Sequence, residues 1–281
     1  RMLWAQFYAA TGDYIQAGQA LQQAQALAVA LGDRHSQARC SSEQAIIDWR
    51  QGDYAAAQAG YLAALELSQG NDEQIDVEGE AHYGLGLVYR QQSRYDAARR
   101  QFELALAVNR RLGDRQHEAR TLNALGSVAN LARDYTAAID LFTEALRLRD
   151  LIGDRAGVGT SLMSLAQVYG NLGDYSAVEP LLQQALEIQQ SVRNRWEEML
   201  VLNELGILYT AVGQYAQALQ YLDQALEHSR ELGSDTGSAY VLCNLSQAQR
   251  DAGALDAAAE TLRQGLRLAQ ESPPDLVLLD A

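Results

Sequence analysis

Apolar residues along this chain recur three and four positions apart rather than on alternate positions. They do so in segments rich in Ala, Leu, Gln, Glu and Arg with no β-branched runs, the pattern of an amphipathic helix and not of a strand. Turns punctuate the helices. One series runs Gly12-Asp13-Tyr14, Gly52-Asp53-Tyr54, Ser93-Arg94-Tyr95, Arg133-Asp134-Tyr135, Gly173-Asp174-Tyr175, Gly213-Gln214-Tyr215 and Gly253-Ala254-Leu255, with successive starts 40, 41, 40, 40, 40 and 40 residues apart. A second series lies half a period away, at Leu31-Gly32-Asp33-Arg34, Leu112-Gly113-Asp114-Arg115, Ile152-Gly153-Asp154-Arg155, Val192-Arg193-Asn194-Arg195 and Leu232-Gly233-Ser234-Asp235. Each unit is therefore two helices and two turns. The one extra residue falls between Gly70 and Glu80, a polar, loop-like interval that absorbs it without shifting a helix.

Within the second helix of each unit, small residues hold two fixed offsets. The first is filled by Ala17, Ala57, Ala98, Ala138, Val178, Ala218 and Ala258, the second by Ala24, Ala64, Ala105, Ala145, Ala185, Ala225 and Gly265. With 46 Ala in 281 residues, six of seven at both offsets is far beyond chance and marks close helix-helix approach. Between them stand the large knobs Leu21, Tyr61, Phe102, Phe142, Leu182, Leu222 and Leu262. The first helix adds Gly86 with Tyr89, Gly126 with Ala129, Ala166 with Tyr169, and Gly206 with Tyr209.

This pattern resembles the tetratricopeptide repeat, whose signature is a Leu-Gly pair, an aromatic three later, then small, large and small residues in the second helix. Leu85-Gly86, Tyr89, Ala98, Phe102 and Ala105 match it position by position, and Leu205-Gly206, Tyr209, Ala218, Leu222 and Ala225 nearly as well. Units one, two and seven depart from it, with Ala5, Ala45 and Ser246 for the Gly, and Asp48 and Gln249 for the aromatic. At 40 residues the unit resembles the longer subtype found in polarity scaffolds and in sensor arrays of bacterial signal-transduction ATPases with numerous domains. The resemblance implies an all-α solenoid, a right-handed superhelix of about seven helix-turn-helix units. One array would fill 1–271, with units near 1–31 (truncated), 32–72, 73–112, 113–152, 153–192, 193–232 and 233–271. Residues 272–281, opened by Pro273-Pro274, are a tail that caps the last helix or begins a linker. Because the helical pattern is already under way at Arg1-Met2-Leu3-Trp4, the chain is expected to be a piece of a longer protein with other domains.

Charge narrows the partners. Asp and Glu outnumber Arg 36 to 22, for a net charge of -14, which argues against nucleic acid or an anionic membrane. All the basic residues are Arg, so lysine chemistry is excluded. Cys40 and Cys243 have no disulfide-framework spacing, which fits the cytoplasm. No apolar run approaches the ~20 residues that span a bilayer, and no export signal is visible. His35, His82, His117 and His228 fall in different units without a partner at metal-ligand spacing. Gly84-Leu85-Gly86 lies inside a helix and lacks a phosphate loop's third glycine. No nucleophile elbow or Cys-His cluster occurs, so the expected protein is neither an enzyme nor a cofactor binder.

Function then falls to surface recognition. The stripe beside the packing face of the first helices, at i, i+3, i+7 and i+10, carries Arg39, Trp49, Tyr83, Leu87, Arg90, Arg120, Asn123, Asn130, Met163, Gln167, Asn203, Ile207, Tyr240 and Arg250, with Arg50 one position outside it. A face meant only for water would not hold so many apolar and aromatic residues. The stripe has four Arg against Glu80 alone, a basic balance on an acidic chain. Guanidinium suits a carboxylate or phosphate. Asn123 and Asn203 share one offset, where an amide can pair with the backbone of an extended peptide. The expected function is a recognition or sensor module of a larger signalling protein, gripping an acidic or phosphorylated protein segment in its groove. A structural or self-assembly scaffold is the alternative.

Overall fold

The computed structural model describes residues 13–68 and 75–271. Among them are thirteen α-helices and no strand. Compactness divides the chain after Asp134. In the first part the helices are α1 (Tyr14–Leu31), α2 (Arg34–Arg50), α3 (Tyr54–Ser68), α4 (Ile75–Gln91), α5 (Tyr95–Leu112) and α6 (Arg115–Leu131). The second part holds α7 (Tyr135–Ile152), α8 (Arg155–Leu172), α9 (Tyr175–Ser191), α10 (Arg195–Ala211), α11 (Tyr215–Glu231), α12 (Asp235–Asp251) and α13 (Leu255–Glu271). The helical opening at Arg1, the turn start at Gly12, the interval 69–74 and the tail 272–281 lie outside the described residues.

Two residues make each turn. The first ends a helix in the left-handed region, and the second, an Asp, Asn or Ser in most turns, caps the next helix. Gly32, Gly52, Gly113, Gly153, Gly173, Gly213, Gly233 and Gly253 all have positive φ, and Ser93, Arg133 and Arg193 take the same conformation at 57°, 63° and 56°. These are the first residues of the turn tripeptides and the central ones of the half-period turns. The next amide bonds back to a carbonyl five residues earlier, as Asp33 N does to Ala28 O at 2.9 Å and Asp114 N to Asn109 O at 3.0 Å. Side chains of Asp33, Asp53, Asp114, Asp154 and Ser234 then accept from backbone amides three residues on. Left-handed backbone disfavours a side chain by ~1–2 kcal/mol, partly offset by glycine's freedom in the unfolded chain. Arg133→Gly and Arg193→Gly should therefore each stabilise the protein by about 0.5–1 kcal/mol, read from denaturant midpoints. A loss of stability would mean that the side chains matter more than the backbone.

Packing follows the small-large-small rhythm. In the first part Ala57, Ala98, Ala64 and Ala105 are fully buried, and the knobs Tyr61 and Phe102 are 3% and 0% exposed. In the second, Ala138, Ala218, Ala145, Ala185 and Ala225 are buried around Phe142, Leu182 and Leu222. Leu262 on α13 is the exception, at 40%. Second helices inside each part lie between two first helices: α3 between α2 and α4, α5 between α4 and α6, α9 between α8 and α10, and α11 between α10 and α12. Glycines on the first helices receive the knobs from both sides. A Cβ on Gly84 would stand 2.2 Å from the Tyr61 ring, and one on Gly86 2.4 Å from the Phe102 ring. Gly84-Leu85-Gly86 is thus a packing seat, as its helical setting implied.

Candidate recognition face

First helices also lie beside one another, α2 by α4 and α4 by α6 in the first part, α8 by α10 and α10 by α12 in the second. Each part so builds one face from first helices alone. The groove stripe read from the sequence falls on these two faces, and burial divides it.

On the face of α2, α4 and α6, Trp49 and Leu87 are buried between helices, and the Trp49 indole N–H has no hydrogen-bond partner. Arg50 is exposed, and Asn130 half-buried. The open surface belongs to Arg39, Tyr83, Arg90, Arg120 and Asn123. Arg120 from α6 lies over the Tyr83 ring of α4, 4.1 Å from its centroid, and Tyr83 in turn leans on Phe102 at 5.4 Å. Arg90 Nη1 donates to Ser127 Oγ at 3.5 Å. Arg39 forms no ion pair within 4.0 Å among the described residues. Asn123 is half-buried, and its Oδ1 is shut from water with no partner. Three guanidiniums and an amide thus share a face with one aromatic ring.

The face also holds an acid that the four-offset stripe passes over. Glu43 stands at i+4 from Arg39, and partial desolvation, then Glu43, raise the Glu80 carboxyl above its usual range, while Arg39 draws it back. Beneath them the Tyr61 hydroxyl is pushed well above its ordinary value, first by burial, with Arg120 opposing. The positive balance of this face is therefore smaller than the stripe alone implied.

On the face of α8, α10 and α12, Met163 and Asn203 are buried. Asn203 Oδ1 accepts from Asn244 Nδ2 at 2.9 Å, which ties α10 to α12. Gln167 Nε2 donates to Glu204 Oε1 at 3.2 Å, tying α8 to α10. Ile207 and Tyr240 are open, at 36% and 39%. Arg250 is exposed, and its Nε pairs with Asp251 Oδ1 at 3.0 Å.

Sequence reading missed Glu204, which lies at i+4 from Leu200 just as Glu43 lies at i+4 from Arg39. Arg149 was also missed. It is 8% exposed on α7, and its Nη1 donates to Gly157 O at 2.7 Å and Ser161 Oγ at 2.8 Å on α8. Glu197 nearby is raised first by burial and drawn down by Arg149. A basic residue at an otherwise buried helix position was the available signal. Among the described residues no group of three or more His, Cys, Asp or Glu is placed to hold a metal, and no helix is long and apolar enough to cross a membrane.

A repeated helix pair, small-large-small packing and faces built from first helices define a helical repeat module of the protein-interaction kind. The tetratricopeptide repeat model matches residues 78–151, 121–191 and 197–271, together more than half of the chain, and the chain belongs to the tetratricopeptide repeat family. No curated protein matches it by sequence. Among solved structures it is similar to the apo form of RapI, with a TM-score of 0.79 at 12% identity over 96% of each chain. It is similar to a Rap protein complexed with competence and sporulation factor, with a TM-score of 0.65 at 12% identity over 85% of this chain and 75% of that one. A signal-transduction ATPase with numerous domains and a tetratricopeptide repeat sensor, from Pyrococcus horikoshii, gives 0.70 at 17% identity over 98% of this chain and 41% of that one. At these identities the likeness is one of fold.

Proposed function

We propose that the chain is a non-enzymatic recognition module that holds an extended protein segment with an acidic or phosphorylated side chain on the face of α2, α4 and α6. The observation that carries this is that Arg39, Arg90 and Arg120 share one face, with Arg120 over the Tyr83 ring, on a chain of net charge -14. Guanidinium groups are suited to two parallel bonds to a carboxylate or phosphate. Asn123 supplies an amide for the backbone of the segment. Support for the segment-binding reading comes from the Rap structure with its bound factor, and support for a sensor role in a larger signalling protein from the ATPase whose sensor shares this fold. Two free cysteines, Cys40 buried and Cys243 exposed, suit a reducing cytoplasm.

The test uses a peptide selected from a displayed random library on the full chain. Arg90→Ala with Arg120→Ala should weaken its binding about tenfold or more and flatten the salt dependence, because exposed charge attraction is screened over ~8 Å at physiological ionic strength. Asn123→Ala should weaken binding by about 0.5–1.5 kcal/mol with the salt dependence unchanged. Equal affinity for all three proteins would remove this face from the function. Exposed apolar residues on α13, Leu255 at 65% and Leu266 at 53%, favour end-to-end self-assembly as the second reading. Concentration-dependent filaments seen by sedimentation, with no selected peptide, would support it.

A further inference from the structure

The face of α8, α10 and α12 carries a carboxyl group without a cation. Glu204 is half-buried on α10 and accepts one hydrogen bond, from the neutral amide of Gln167. No Arg or His stands within 4.0 Å of it among the described residues. Burial raises its pKa and Gln167 opposes only in part. From α12, Tyr240 presents its ring at the surface, and its hydroxyl is pushed up to about 12, first by burial and then by the Glu204 charge. Ile207 is open one turn along α10.

A second observation is independent of the carboxyl. Asn203 is 0% exposed, its Oδ1 accepts from Asn244 Nδ2, and the Asn203 and Asn244 amides both hydrogen-bond the Tyr240 hydroxyl, which fixes the tyrosine between α10 and α12 close enough to feel the Glu204 charge. The anchored ring leaves Glu204, with its single neutral partner, beside an exposed aromatic surface. A recessed carboxylate with one neutral partner is disfavoured, and a ligand that brings the missing positive charge relieves that penalty. The aromatic and aliphatic neighbours fit the stem of a long basic side chain and, over the Tyr240 ring, its cationic head.

We propose that Glu204, Gln167, Asn203 and Tyr240 form a subsite for one arginine or lysine side chain of a protein segment held on this face, its head paired to Glu204 and its stem along Tyr240 and Ile207. This rests on the reading of first-helix faces as segment-binding, but on a different face from the Arg90 and Arg120 cluster.

The test uses the full chain labelled with carbon-13 at glutamate carboxyls, with the Glu204 resonance assigned through E204Q or, should that variant not fold, E204D. The probes are blocked Gly-Ser-Xaa-Ser-Gly peptides in which Xaa is arginine, lysine or citrulline, added at millimolar concentration at the midpoint of the Glu204 titration. Arginine and lysine should move the Glu204 resonance saturably toward its ionised position, and citrulline should not. Y240A should raise the concentration needed several-fold while leaving the direction of the shift unchanged. An unchanged resonance with arginine and lysine, or an equal shift with citrulline, overturns the subsite. The Arg90 and Arg120 result is unaffected by either outcome, so the two proposals fail separately.

Discussion

Replacing Phe102 with alanine is expected to lower stability by about 3–5 kcal/mol, since the ring is 0% exposed and sits in the seam between α4 and α5. Gly86→Ala should destabilise by ~1–3 kcal/mol, even though Ala exceeds Gly in helix propensity by ~1 kcal/mol, because the new methyl would meet a rigid, buried ring at 2.4 Å. Combining them reverses the sign of the second change. Once Phe102 is alanine, the methyl has room, and Gly86→Ala should stabilise by about 0.5–1 kcal/mol. Gly170→Ala is the control, with nothing within 4 Å of its added Cβ, and should stabilise by about the same amount. Urea unfolding followed by circular dichroism measures all four. Simple additivity of the Gly86 and Phe102 changes would mean that the two residues do not touch.

Arg149→Met is expected to cost about 2–4 kcal/mol in the second part of the chain. The substitution keeps the aliphatic volume but leaves the Gly157 carbonyl and Ser161 hydroxyl without their donor, and it removes the one positive charge that draws down the recessed Glu197. Adding Glu197→Gln to the methionine variant should recover part of the loss, because a recessed carboxylate left with only the Thr160 hydroxyl is then gone. The pH dependence gives the sign. A carboxyl held above its unfolded pKa weakens the fold as pH rises through the folded value, so the benefit of Glu197→Gln should be largest at neutral pH and shrink toward pH 4. Loss of stability on adding Glu197→Gln would show that Glu197 is a hydrogen-bonding asset and not a burden.

These residues also mark how far the sequence could be read. The helices, their turns and their packing seats were legible because each is repeated. Gly86 and Gly206 face a knob in their own units, and Gly or a left-handed substitute stands at every described turn, so a spacing of 40 residues exposes them. The tetratricopeptide resemblance, stated from Leu85-Gly86 to Ala105, agrees with the family match over 78–151. The recognition faces were legible only in outline. A stripe at i, i+3, i+7 and i+10 finds the helix side but not the depth of each side chain, which depends on the neighbouring helix. Trp49, Leu87, Met163 and Asn203 lie on the expected side yet are closed off by the next first helix. Glu43 and Glu204 sit one offset away and help set the charge of the faces. They share one offset, but the other units hold Gly84, Ala124, Ser164 and Asn244 there, so the acid is a feature of two units and not of the repeat. Arg149 stands at the offset that holds the buried Ser68, Asn109, Gln189 and Ser229, so the repeat carries its depth, but its bonds to α8 depend on the neighbouring helix.

The most direct measurement of the central proposal is photo-crosslinking from a library-selected peptide carrying a benzophenone group, with the attachment points on the full chain mapped by mass spectrometry. Attachment concentrated on the open face of α2, α4 and α6, at residues such as Arg39, Tyr83 and Arg120, is the expected result, and it should vanish with Arg90→Ala and Arg120→Ala. Attachment to the exposed second-helix positions Leu62 and Leu104, which are 47% exposed, at an efficiency those two substitutions leave untouched, would contradict it.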